Sequence, residues 1–164
     1  MANSTLRRFP AVALLVCAVL PSLLFEQPVA AQSSSCIRAE GEWFDTLNAL
    51  GGTTGTIAGA GFLNGTTETV YSPAFVVTPD PNVVSYIAET TITANQGQLV
   101  TNNVYLYNFI TGVGTIIGTI NADASTGRFA GATGVIYFNT TQTVGAFPNQ
   151  SFKSTITGAV CLAR

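Results

Sequence analysis

The chain has no histidine among its 164 residues. That removes the commonest general base and the usual partner of a serine or cysteine nucleophile, so acyl-transfer triads are excluded. Charge is nearly as scarce, with Lys, Arg, Asp and Glu together making up 9% of the residues. Beyond residue 31 the cations are Arg38, Arg128, Lys153 and Arg164, against Glu40, Glu42, Asp45, Glu68, Asp80, Glu89 and Asp123, a balance of −3. A binder of phosphate backbones needs clustered Lys and Arg to release counterions, and this chain has neither the cluster nor the sign, so nucleic acid is excluded as a partner. Few charges beside 47% apolar residues also exclude intrinsic disorder.

Long apolar runs are missing too. The longest, Ala11 to Phe25, covers 15 residues and contains Pro21. It is short for a membrane span, but it has the make-up of a secretory signal: Arg7 and Arg8 before it, and the small-residue site Val29-Ala30-Ala31 after it. Residues 1–31 are therefore expected to be a signal peptide, and residues 32–164 one exported domain with no further membrane span. Cys17 does not mark a lipoprotein, because Val16 stands where a small residue is wanted. The 133 residues left of 164 suffice for a single core.

Once Cys17 leaves with the signal, Cys36 and Cys161 are the only thiols, one near each end of the domain. An oxidising compartment permits a disulfide, and pairing would pin the first strand to the last. The competing reading, free or metal-binding thiols, lacks the histidines that would complete an ordinary zinc site. No catalytic or metal-binding constellation stands out, so no metal or cofactor is expected.

What the chain does have is strand after strand with no helical period. Arg38 to Leu50 reads as a first strand ending in a short helical turn, closed by Gly51-Gly52. Thr56 to Leu63 and Thr67 to Thr78 follow, the second ended by Pro79-Asp80-Pro81-Asn82, which no sheet interior tolerates. Val83 to Ala94 and Leu99 to Phe109 form a hairpin about Asn95 to Gln98, with Tyr105, Tyr107 and Phe109 on one face and Val100, Val104 and Leu106 on the other. Thr115 to Ala122 leads to a turn in which Asp123 and Ser125 bond their own backbone and Gly127 takes a positive φ. Gly131 and Gly134 then fall within an apolar strand, as expected of a sheet curling towards closure. The last strand alternates, Phe152, Ile156, Val160 and Leu162 against Lys153, Thr155, Thr157 and Cys161. About eight antiparallel strands predict an all-β domain, a single barrel, with a two-sheet sandwich as the alternative.

Ser125 to Gly134, S-T-G-R-F-A-G-A-T-G, resembles the G-x-G-x-F-x-G-A-x-G strand of dirigent proteins, allene oxide cyclases and secreted bacterial proteins of the same barrel type. Gly114 to Asn121 and Ile156 to Val160 extend the likeness through the last third of the chain. The resemblance implies a small antiparallel barrel. The first half offers no motif to align, so the pocket residues and catalytic acids of those enzymes do not transfer.

Carboxylates and tyrosines remain as candidates. Glu42 and Asp45 flank Trp43 and Phe44, and a carboxylate against aromatic surface has a raised pKa suited to acid catalysis. The plainer reading takes Glu40, Glu42 and Asp45 as a solvated strand edge. Glu89 lies mid-strand among Ile87, Thr91 and Thr93; facing inward it would be a lone buried carboxylate, facing outward a surface charge. Tyr105 and Tyr107 are candidates to line a ligand cavity or to form an exposed pair. Arg128 is expected to be an exposed turn residue near Asp123. Asn64, Asn139 and Asn149 begin N-x-S/T sequons that matter only in a eukaryotic secretory pathway.

Two functions follow. One is a secreted barrel that binds a small apolar molecule or meets partners at a surface. The alternative, implied by the resemblance, is a cofactor-free cyclase or dirigent-like protein that steers a reactive molecule by confinement, with one acid for polarisation. The contents of the interior separate the two.

Overall fold

The computed structural model describes residues 35–145 and 149–163; the expected signal, 1–31, lies outside them. Eight antiparallel strands run in order and close on themselves: β1 (Ser35–Leu47), β2 (Thr53–Ala58), β3 (Gly65–Val77), β4 (Val83–Ala94), β5 (Gly97–Asn108), β6 (Val113–Ile120), β7 (Thr133–Val144) and β8 (Ser151–Leu162). The sandwich alternative is thereby set aside. The first strand runs on to Leu47 and turns at once, without the expected helical turn.

Closure is made by β1 and β8, paired from Ser35↔Leu162 to Thr46↔Ser151. Cys36 stands directly opposite Cys161, and the two form a disulfide that links positions 125 residues apart. Period-2 alternation then sorts every strand into an inner and an outer row. The lower half of the interior is filled: Trp43, Ile57, Ile92, Leu99, Ile136 and Ile156 are buried together.

One end is plugged. Leu63, in the 3₁₀ turn Gly61–Leu63, and Phe129, in the turn Gly127–Phe129, are both wholly buried beneath the strands. Here the sequence expectation needs correction, because Ser125 to Ala132 is a loop that crosses the barrel floor, and the strand begins only at Thr133. The loop is tied to the β4–β5 hairpin: Thr126 N–H donates to the Gln98 carbonyl (2.8 Å), Arg128 N–H to the Gln96 carbonyl (2.9 Å), and Val100 N–H to Ser125 Oγ (3.1 Å). Gly127 is required there, since its φ is +60° and a Cβ would press on the Gln96 carbonyl and on Gly97. Arg128 extends outward to the Gln96 amide oxygen and not to Asp123. Gly131 is thus a turn residue at φ +70°, whereas Gly134, at φ +137°, lies within β7 where a Cβ would collide with the Ala159 carbonyl of β8.

The two glycines should therefore respond differently. Gly134→Val is expected to lower stability by several kcal/mol or to prevent folding, and Gly131→Val to cost roughly 1 to 3 kcal/mol for a β-branched residue at positive φ. Thermal melts of the two variants check this; equal effects would contradict the placement of Gly131 in a turn. Replacing Cys36 and Cys161 together by Ser is expected to cost about 2 to 4 kcal/mol, read as a lowered denaturant midpoint.

Candidate functional site

Above the filled half, the inner rows change character. Thr67, Thr69, Thr90, Thr101, Asn103, Thr140 and Ser154 are all buried. The strands' pairing brings them into contact: Thr69 and Thr90 share a hydrogen bond (2.8 Å), the Asn103 amide donates to Thr90 Oγ1 (2.7 Å), and Trp43 Nε1 donates to Thr67 Oγ1 (2.9 Å). Above this polar belt lie three tyrosines. Tyr86 of β4 stacks on Tyr105 of β5, ring centroids 4.6 Å apart, because the two residues are direct cross-strand partners. Tyr71 of β3 meets both rings edge-on, at 5.2 and 5.7 Å.

Asp45 completes the group. It lies on β1 between Gly55 of β2 and Phe152 of β8, and only 7% of its surface is exposed. The reading of Asp45 as part of a solvated strand edge is corrected here. Arg38, Glu40, Glu42 and Phe44 occupy the outer row of β1, where Arg38 pairs with Glu40 and Glu42 pairs with Lys153 (2.6 Å). Asp45 takes the inner row with Trp43. A strand residue two positions from a buried tryptophan shares its face whatever its charge.

The cavity among Asp45, Tyr71, Tyr86, Tyr105, Tyr107 and Phe152 has about 20 Å³ of free space, room for one water. Burial pushes the Asp45 carboxyl up from 3.8 to about 7, opposed by the nearby Thr53 hydroxyl. In the fold itself neither Asp45 Oδ1, Thr53 Oγ1 nor the Tyr105 hydroxyl has a hydrogen-bond partner. Burial first, and the neighbouring charges next, raise the tyrosine hydroxyls of Tyr71, Tyr86 and Tyr105 far above the usual phenol range, so they act as neutral donors. The result is an acid that is half protonated near neutrality under three neutral hydroxyls.

The cavity opens to one end of the barrel. Tyr71 and Tyr86 also line a mouth of about 350 Å³ with Ser72, Phe75, Val84 and Phe109, a volume within the range of small-molecule sites. Tyr107 stands half-buried at the same end, its hydroxyl donating to Gln142 Oε1 (2.7 Å) and its ring edge-on to Phe152. Of the sequence candidates, Tyr105 and Tyr107 thus come together at this site. Glu89 does not: it is exposed on the outer face of β4, opposite Val70 and Asn102. Sequence reasoning missed Tyr71 and Tyr86. A two-residue Asn95-Gln96 turn, with Ala94 opposite Gly97, sets Tyr86 against Tyr105.

Fold and site together define a closed eight-stranded barrel with a buried acid–tyrosine cavity under an aromatic mouth. No protein-family model, curated protein or solved structure matches the chain. Among the described residues no helix is long and apolar enough to cross a membrane, and no group of three or more His, Cys, Asp or Glu side chains is placed to hold a metal ion.

The position of Asp45 predicts a pH dependence of stability. The folded chain keeps this proton up to about pH 7, whereas the unfolded chain releases it near 3.8. Stability should therefore fall as pH rises across that window. Asp45→Asn is expected to flatten the dependence and to make the protein more stable than the wild type above pH 7, by up to about 4 kcal/mol. Melting curves of both proteins at pH 5 and pH 8 test this, and parallel shifts would contradict it.

Proposed function

We propose that this protein binds a small, largely apolar molecule carrying one hydrogen-bonding group, with its apolar body in the aromatic mouth and its polar end directed at Asp45 and Tyr105. The observation that carries the reading is the pair of buried groups without partners, Asp45 Oδ1 and the Tyr105 hydroxyl, lining one cavity beneath the mouth. A buried polar atom left unpaired costs on the order of 1 to 3 kcal/mol, which a ligand's hydroxyl or carbonyl, or a water, would recover. With free space of about 20 Å³ below the tyrosines, the ligand sits mainly in the mouth.

One observation favours the second reading, a cofactor-free cyclase or dirigent-like activity. An acid with a pKa of about 7 can donate a proton to, or polarise, a reactive intermediate held against aromatic walls. The resemblance of Ser125–Gly134 to allene oxide cyclases and dirigent proteins supports the same idea. In either reading export by a signal peptide places the protein outside the cytoplasm, where the Cys36–Cys161 disulfide is stable.

The only tryptophan, Trp43, lines the cavity, so its fluorescence reports what enters. Titration with the neutral aromatic amine N-phenyl-1-naphthylamine is expected to give saturable quenching. Competition by medium-chain alcohols should weaken about fivefold in Asp45→Asn and in Tyr105→Phe, the effect of losing one hydrogen bond of about 1 kcal/mol. Unsaturable quenching, or competition indifferent to both variants, would overturn the proposal. Binders recovered unchanged support carriage; a new stereochemical excess that vanishes in Asp45→Asn supports the steering enzyme.

A further inference from the structure

The mouth end of the barrel differs from the plugged end in its loop tips. The turn after β1 presents Leu50 at 95% exposure, and the turn after β5 presents Ile110 at 76%. Phe75 and Val76 at the end of β3, Phe109 beside Ile110, and Val144 at the end of β7 are also exposed. The antiparallel order brings all of these to the end at which the 350 Å³ mouth opens, and Phe75 and Phe109 line that mouth. Loop tips in a water-soluble barrel are ordinarily polar turn residues. Here large apolar side chains from several separate segments surround one opening.

Charge narrows the choice of partner. Among the described residues of the turns at this end, Asp80 is the only charged one, and no cation is present to attract anionic headgroups. The cations of the strands, Arg38 and Lys153, lie on the outer faces of β1 and β8, engaged with Glu40 and Glu42. Shape narrows it further. Leu50 and Ile110 belong to separate turns, so a rigid protein surface would need a separate socket for each, whereas a fluid acyl layer receives them without one.

We propose that this end docks on an uncharged or zwitterionic lipid surface, Leu50, Phe75, Val76, Phe109, Ile110 and Val144 entering the interface around the mouth. The docking deepens the proposed binding function and to that extent rests on it: an apolar ligand would pass between the lipid layer and the mouth without crossing water. Attachment itself depends on the rim alone. It is driven by apolar burial, so it is indifferent to salt and to anionic lipid.

Flotation of the purified protein with phosphatidylcholine vesicles, with and without one-fifth phosphatidylserine, tests this. The expected result is partition onto both vesicles, unchanged by salt, that drops at least tenfold in the double variant Leu50→Ser/Ile110→Ser. The drop is the quantity that matters, because residues 11–25 are also apolar. A control double variant on the barrel's flank, Ile87→Thr/Ile117→Thr, removes exposed apolar side chains of similar size and should partition like the wild type. Wild-type partition by the rim variant, partition that requires phosphatidylserine, or a concentration-dependent dimer that the rim variant dissolves would each overturn the proposal. Asp45→Asn should float like the wild type; if it does, and no small probe binds saturably, docking stands and the cavity reading falls.

Discussion

Everything in this fold depends on the seam between β1 and β8. The chain's first and last described strands pair over their whole length, and the Cys36–Cys161 bond fastens them at the plugged end. Without the seam the barrel would be an open sheet with two long edges, and its interior would be one face of that sheet in water. Asp45 makes the dependence local. Its neighbours on either side belong to β2 and β8, so the carboxyl is buried only after the chain ends have met. A contact between residues so far apart in sequence is entropically costly to make, and a covalent link across it removes much of that cost from the unfolded chain.

The two halves of the interior obey different physics. Below, aliphatic and aromatic side chains exclude water as in any closed small barrel. Above, threonine hydroxyls, Asn103 and the tyrosines form a belt in which several buried atoms stay unpaired: Asp45 Oδ1, Thr53 Oγ1, Asn103 Oδ1 and the Tyr105 hydroxyl. Apolar groups of matching shape at these positions would leave no buried polar atom unpaired. A chain selected only for a stable barrel has no physical reason to keep a carboxyl whose burial drives its pKa to about 7.

Legibility in the sequence followed the reach of local rules. The strand series, the shared face of Tyr105 and Tyr107 though not its inward direction, the alternation of the last strand and the pairing of Cys36 with Cys161 could all be read, because period 2 and a lack of alternative thiols leave few choices. The floor loop could not. Gly131 in an apolar stretch looks like a strand glycine, and only the docking of Ser125–Arg128 on the β4–β5 hairpin shows that the chain is still turning there. Asp45 was legible in principle. Arg38, Glu40, Glu42 and Phe44 lie in one phase and Trp43 and Asp45 in the other, but proximity to two other acids suggested a charged edge. Tyr71, in phase with Thr67 and Thr69, was also legible in principle, but the irregularity of β3 between Tyr71 and Phe75, around Pro73, is not announced by alternation.

That irregularity also ties the rim to the cavity. Beyond the slip of β3 against β4, regular pairing resumes at Phe75↔Tyr86 and Val76↔Ser85, and Phe75 and Val76 are both exposed because they stand at the rim. Tyr71, on the inner side of the slip, touches Tyr86 and Tyr105 and faces the cavity, while Phe75, beyond it, lines the mouth. The break in pairing leaves Tyr71 and Phe75 in the same inner row on its two sides, so that an aromatic path runs from the exposed edge to the buried carboxyl. Bulges bend strands at barrel rims, and here the extra residues around Pro73 set Phe75 opposite Tyr86. Site and rim are on this account one feature, and a change that restored regular pairing near Pro73 would alter both together.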